Sequence, residues 1–172
     1  MISGVAILLG VAAVWTAVKN EINVPGGVKG DALTAYAFLA AFAFCISISV
    51  NILFYQTGFS GSSGAYENVH EAQYGVEFLI GIVLYGVISP IAEEAIFRGL
   101  IYNRMKRCFG WIAALIFSSL LFGAYHGNVV QAVYGMLLGL MIAYSYELYK
   151  NFAAPVLFHA IANISVYAIT YR

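Results

Sequence analysis

Long apolar runs separated by short polar breaks make up this chain. Six runs read as helices, over residues of about 2–18, 32–57, 74–102, 110–126, 130–149 and 153–170. A helix needs roughly 20 apolar residues to cross a bilayer core, so each is a candidate span. The breaks carry turn-forming or charged residues. Residues 19–31 include Pro25-Gly26-Gly27, and residues 57–71 include Gly58, Ser60-Gly61-Ser62-Ser63-Gly64 and two glutamates. Arg104, Lys106 and Arg107 form a basic knot, and Gly127-Asn128 and Lys150-Asn151 read as short turns. Strands do not fit. Open sheet edges are not tolerated in lipid, and a closed barrel would alternate apolar and polar residues. The pattern predicts an all-α, polytopic transmembrane helix bundle of about six spans, folded as a single membrane domain over residues 1–172.

Composition turns the pattern into a requirement. Of the 172 residues, 62% are hydrophobic and 9% charged, against about 25% charged in a soluble domain. Too few charges remain to coat a water-exposed surface, so the lipid bilayer is the expected partner of most of the exterior. Net charge is zero, which gives no long-range attraction to nucleic acid, and none is expected. Cys45 and Cys108 lie in or beside apolar segments, with no spacing that suggests a disulfide or a metal site. The first apolar run has no basic stretch ahead of it and no clear cleavage site, so it reads as a retained span. Lys19 and Lys29, the basic knot, and Lys150 fall on alternate breaks, whereas residues 58–73 contain no Lys or Arg. The positive-inside rule then places the basic breaks in the cytoplasm and both termini outside.

Against this background a few side chains stand out, because a charge or imidazole at membrane depth is costly and marks a functional site by default. The first cluster is Ser89-Pro90-Ile91-Ala92-Glu93-Glu94-Ala95-Ile96-Phe97-Arg98-Gly99. Pro90 lacks a backbone donor, so it is expected to open a fresh helix or kink a long one, placing Glu93 and Glu94 near a helix N-terminus that favours anions. Glu94 and Arg98 are spaced i,i+4 with the acid first, the better order for a helical ion pair. Glu93 points about 100° away and is left free. The second cluster ends at His126, in Phe122-Gly123-Ala124-Tyr125-His126; the third is His159-Ala160-Ile161-Ala162-Asn163, with imidazole and carboxamide on one helix face. Each cluster alone also reads as a packing or charge-bracing feature. Together they supply a base, a second proton carrier and donors for developing negative charge. Four helices can bring them into one cavity between the last four spans.

Glu93-Glu94-x-x-x-Arg98, Phe122-x-x-x-His126 and His159-x-x-x-Asn163, in that order on different helices, resemble the three signature motifs of the CAAX protease and bacteriocin-processing (CPBP, or Abi) family, which includes the CAAX prenyl endopeptidases. Phe97 and Gly99 add to the local likeness, which is typical of bacterial members and implies a bacterial or archaeal cell membrane. The likeness covers residues of about 75–170 as a catalytic core and leaves the first two spans outside. It implies an intramembrane endopeptidase without a covalent intermediate, acting on a membrane-associated or lipidated peptide or protein. On that pattern Glu93 and His126 activate water, His159 and Asn163 stabilise the oxyanion, and Glu94 and Arg98 support them by orienting Glu93 and balancing charge. Gln131 and Tyr134 are further residues near the same cavity, without a motif to place them.

Three other readings use the same residues. Two histidines and a glutamate can bind zinc, giving a membrane metallopeptidase, although a His-Glu-x-x-His helix is absent and otherwise no cofactor is expected. A non-catalytic immunity or binding factor against bacteriocins is the second. A transporter fragment with a buried proton path is the third, and it lacks a second matching half. One geometric tension accompanies the shared cavity. Counted from the basic breaks at 1.5 Å per residue, Glu93 lies about ten residues deep, His159 about six to nine, and His126 about sixteen. Tilt, an interfacial start to the fourth span, or a kink at Pro90 has to close that gap.

Overall fold

The computed structural model describes Ala12, residues 16–19, Glu21, Ile22 and residues 31–171, and among these the regular structure is helical throughout. Helix α1 (Ala32–Gln56) starts where Asp31 accepts the backbone N–H of Leu33 at 3.1 Å and of Thr34 at 3.3 Å. A 3₁₀ turn, Phe59–Ser62, leads to α2 (Gly64–Tyr74). The sequence pattern suggested only a polar break there. The helix forms because Ser63 caps it and because Tyr66, His70 and Tyr74 repeat every four residues, stacking along one face that ends on Tyr167, 4.9 Å from Tyr74. So short and polar a helix has no hydropathy signature.

The next helical path, Phe78–Tyr125, is 48 residues long. It comprises α3 (Phe78–Val83), a π-helical segment (Leu84–Ile88), α4 (Ser89–Glu94), a second π-helical segment (Ala95–Tyr102) and α5 (Asn103–Tyr125). It is not straight. Gly110, at φ 81° and ψ 169°, reverses the chain in a conformation open to glycine, and the Phe97 and Phe122 rings come within 5.1 Å. In a straight helix those residues would lie about 37 Å apart. Two antiparallel limbs therefore cross where two spans were expected. Pro90, however, neither opens a helix nor interrupts one. Ile88 (φ −67°, ψ −48°) and Ser89 (φ −60°, ψ −50°) are helical on its N-terminal side, and the register widens to π just before it. Glu93 and Glu94 thus have no free helix N-terminus beside them, contrary to the sequence expectation.

Helices α6 (Val129–Tyr149) and α7 (Ala153–Thr170) complete the bundle, α6 starting at an Asn128 cap and ending at Lys150 with φ 50°. With α1 and the two limbs, five of the six expected spans are in place; residues 2–18 lie mostly outside the described residues. Leu39 and Ala43 of α1 meet Leu138 and Ile142 of α6 and Ala154, Phe158 and Ala162 of α7 in one buried cluster. The outside is the reverse of a soluble protein's. Phe38, Leu53, Ile116, Phe117 and Leu148 are exposed, and only 17% of the most apolar stretch of α1 is buried. Such a surface is stable facing acyl chains. This is an integral membrane protein.

The basic breaks meet at one end of the bundle. Glu21 pairs with Arg107 at 2.5 Å and Arg104 at 3.5 Å, and Glu147 pairs with Lys106 at 2.5 Å and with Lys150.

Candidate active site

Glu94 and Arg98 sit at the bottom of the site, both with no exposed side-chain surface. Their i,i+4 spacing delivers the expected pair, Arg98 Nη1 donating to Glu94 Oε1 at 2.8 Å. Arg98 Nη2 donates to the Gly139 carbonyl of α6 at 2.8 Å, and the guanidinium carbon lies 4.9 Å from the Phe122 ring centroid. Gly139 makes this approach possible. A Cβ there would lie 3.2 Å from Phe122, 3.2 Å from Ser119 and 3.3 Å from Arg98 Nη2.

His159 of α7 completes the centre. Its Nδ1 is 2.8 Å from Glu94 Oε1 and its Nε2 is 3.7 Å from Glu93 Oε2. The imidazole therefore bridges the two adjacent carboxylates, which point apart around the helix. The sequence reading gave Glu94 the task of orienting Glu93. In the structure Glu94 holds His159 instead, an arrangement like a carboxylate fixing an imidazole's orientation and tautomer. Glu93 is held by Ser89, whose hydroxyl donates to Glu93 Oε1 at 2.5 Å. Glu93 Oε2 and Glu94 Oε2 are buried and make no hydrogen bond. Ser89 was not singled out from the sequence, although its i,i+4 spacing to Glu93 was a signal of the same kind as Glu94–Arg98.

His126 ends the second limb, and its Nδ1 lies 2.9 Å from the Phe122 carbonyl. A carbonyl accepts only, so Nδ1 carries the proton and Nε2 presents a lone pair in the neutral ring. Phe122 stands between the histidines, its centroid 5.1 Å from His126 and 5.4 Å from His159, so the imidazoles lie at most about 10.5 Å apart. The depth problem raised by the sequence count has a simple source. The first limb runs through Arg104, Lys106 and Arg107 to Gly110 before turning back. Glu93 lies 17 residues before that turn and His126 16 after it, about 25 Å in each limb. The edge of the hairpin, not the basic knot, is the correct origin.

Asn163 donates from Nδ2 to the Tyr85 carbonyl at 2.9 Å. Ser89, His126 and Asn163 are half-buried, whereas Glu94 and Arg98 are fully buried. Gln131 and Tyr134 are engaged elsewhere: Gln131 accepts from the cap residue Asn128 at 2.6 Å, and Tyr134 hydrogen-bonds the Ser47 carbonyl at 3.4 Å. Among the described residues no three His, Cys, Asp or Glu side chains converge as a metal-binding set.

A family model described as "Type II CAAX prenyl endopeptidase Rce1-like" matches residues 75–165, a stretch that contains every residue of the site. The chain is also 24% identical over 169 residues to the Bacillus subtilis (strain 168) protein named "Putative membrane peptidase YdiL", covering 96% of this chain and 68% of that protein. No solved structure matches the chain significantly. The likeness seen in the three motifs is thus borne out at the level of the family.

Proposed function

The chain belongs to the Type II CAAX prenyl endopeptidase Rce1-like family, a family of membrane peptidases, and on that premise we propose that it hydrolyses a peptide bond in a membrane-associated or lipidated peptide or protein, by water activated at Glu93 and His126. The observation that carries this reading is the buried, unbonded Oε2 of Glu93 facing His159 Nε2 at 3.7 Å. That gap is too long for a direct hydrogen bond, so Oε2 is free to take a water and Nε2 to meet the oxyanion that forms beside it.

The chemistry follows from these contacts. Glu93, oriented through Oε1 by Ser89, accepts a proton from water through Oε2, with the His126 Nε2 lone pair sharing the task. The water oxygen adds to the carbonyl carbon, and the oxyanion draws on His159 Nε2–H and the second N–H of Asn163. His159 presents Nε2 to the oxyanion while Glu94 holds the ring at Nδ1, 2.8 Å away. The proton held by Glu93 then passes to the departing nitrogen, the C–N bond breaks, and a carboxylic acid and an amine leave, the acid's proton passing to the amine to give carboxylate and ammonium. Each preorganised donor of this kind contributes on the order of 10²–10³ in rate. The Bacillus relative supports a bacterial or archaeal cell membrane as the setting.

The test is peptidomics of membranes from cells carrying the wild type or Glu93→Gln. Cleavage products present with the wild type and lost with the variant support the reading, and they should persist under a zinc chelator. Intact cleavage by Glu93→Gln sinks it. Loss of cleavage with a protective phenotype intact would point to an immunity role separable from hydrolysis.

A further inference from the structure

Pro90 lies three residues before the base, and its missing N–H has a structural consequence. In the π-helical segment Leu84–Ile88 the backbone N–H of Ser89 donates to the Leu84 carbonyl, five residues back. The next rung of that register would run from residue 90 to the Tyr85 carbonyl. Proline has no N–H to give, so the Tyr85 carbonyl is left at membrane depth without its helical donor, a costly state in lipid. Asn163 Nδ2 fills the place at 2.9 Å. Because the partner is a carbonyl, the NH₂ group and not the amide oxygen must face it, which fixes the flip of the carboxamide. The helices are close enough for this because residue 86 is glycine. A Cβ there would lie 2.5 Å from Ile164 Cγ1, next to Asn163 in the chain.

We propose that Pro90 is a positioning residue for Asn163: by withholding one backbone N–H it frees the Tyr85 carbonyl to anchor the Asn163 carboxamide and aim its second N–H into the site. The proposal rests on the reading of Asn163 as an oxyanion donor. It makes the proline and the asparagine one device, on two helices, joined through a carbonyl that belongs to neither.

The device predicts an unusual pattern in a double-mutant cycle of Pro90→Ala and Asn163→Leu in the full-length protein. Asn163→Leu alone strands the Tyr85 carbonyl and lowers the melting temperature. Adding Pro90→Ala restores a backbone donor at position 90, and most of that loss is recovered. Activity behaves oppositely. Pro90→Ala lets its own N–H compete for the Tyr85 carbonyl, and kcat falls about tenfold while KM stays within about twofold, a drop equivalent to about 1.4 kcal/mol. In the Asn163→Leu background Pro90→Ala costs no further activity. The activity arm is read on the cleavage products that disappear with Glu93→Gln. Melting losses that simply add in the double variant overturn the proposal, as does an unchanged kcat for Pro90→Ala. If wild type and Glu93→Gln do not differ in cleavage, the hydrolysis reading falls, and the melting cycle still decides the anchor.

Discussion

At the basic end of the bundle, Glu147 accepts from Lys106, Lys150 and Tyr102, while Glu21 takes Arg104 and Arg107. One carboxylate there meets two cations, and the arginines are more than half exposed. In the middle of the bundle carboxylates no longer have two cations each. Glu93 and Glu94 share one guanidinium and one imidazole, Arg98 and Glu94 are fully buried, and Glu93 Oε2, Glu94 Oε2 and Arg98 Nε lack hydrogen bonds. Water and headgroups screen the first cluster, so its pairs tie loops together with little energy each. Nothing screens the second, so every partner there matters and every unbonded atom is a place for chemistry. Similar side chains serve as a fastening in one setting and form the candidate reactive centre in the other.

The largest expected difference comes from removing a cation at each place. Arg98→Met leaves buried carboxylates unpaired and should cost about 3–5 kcal/mol, against about 1 kcal/mol or less for Lys106→Met. Detergent-solubilised melting curves check this, and equal losses would erase the contrast. Next comes the packing of α5 against α6. A Cβ on Gly123 would lie 2.3 Å from the Ala132 carbonyl, which is backbone and cannot swing aside. Gly123→Ala should therefore cost about 1–3 kcal/mol and separate α5 from α6. Ser89→Ala tests the orienting bond to Glu93. Activity should fall about tenfold with the melting temperature unchanged, and Ser89→Thr should keep most of it. An unaffected Ser89→Ala would remove the serine from the site.

The smallest effect lies at the basic end and depends on pH. The hydrogen bond from Arg107 holds the Glu21 carboxyl below the usual carboxylate value, against the pull of partial burial. A lowered value means the pair stabilises the fold above the ordinary carboxylate range and is lost as pH falls through the lowered value. Glu21→Gln should thus lower the melting temperature at pH 7 by no more than about 3 °C, with the difference shrinking toward pH 3 and at high salt. A difference that grows on acidification would contradict the pairing.

The bundle and the residues of the candidate site were legible in the chain because lipid leaves few choices. Continuous apolar runs must be helices, and Glu93, Glu94, Arg98, His126, His159 and Asn163 stand out where charges and imidazoles are expensive. The i,i+4 rule also found Glu94–Arg98, since both partners lie on one helix. What failed to show were features that depend on a second element. Helix α2 is too polar for hydropathy to reveal, and it rests on Tyr167 of a distant helix. The depth count went wrong because a turn at Gly110, and not the basic knot, ends the first limb.

What the sequence determined by itself was therefore the solvent, the helices and the list of candidate site groups, each set by local hydrophobicity or spacing along one helix. Only the tertiary structure decided which groups meet. It turned Glu94 toward His159 and brought Asn163 to the carbonyl that Pro90 leaves open. Those pairings depend on how far two helices approach, and that distance is set by Gly86 and Gly139, whose missing side chains carry no pattern along the chain.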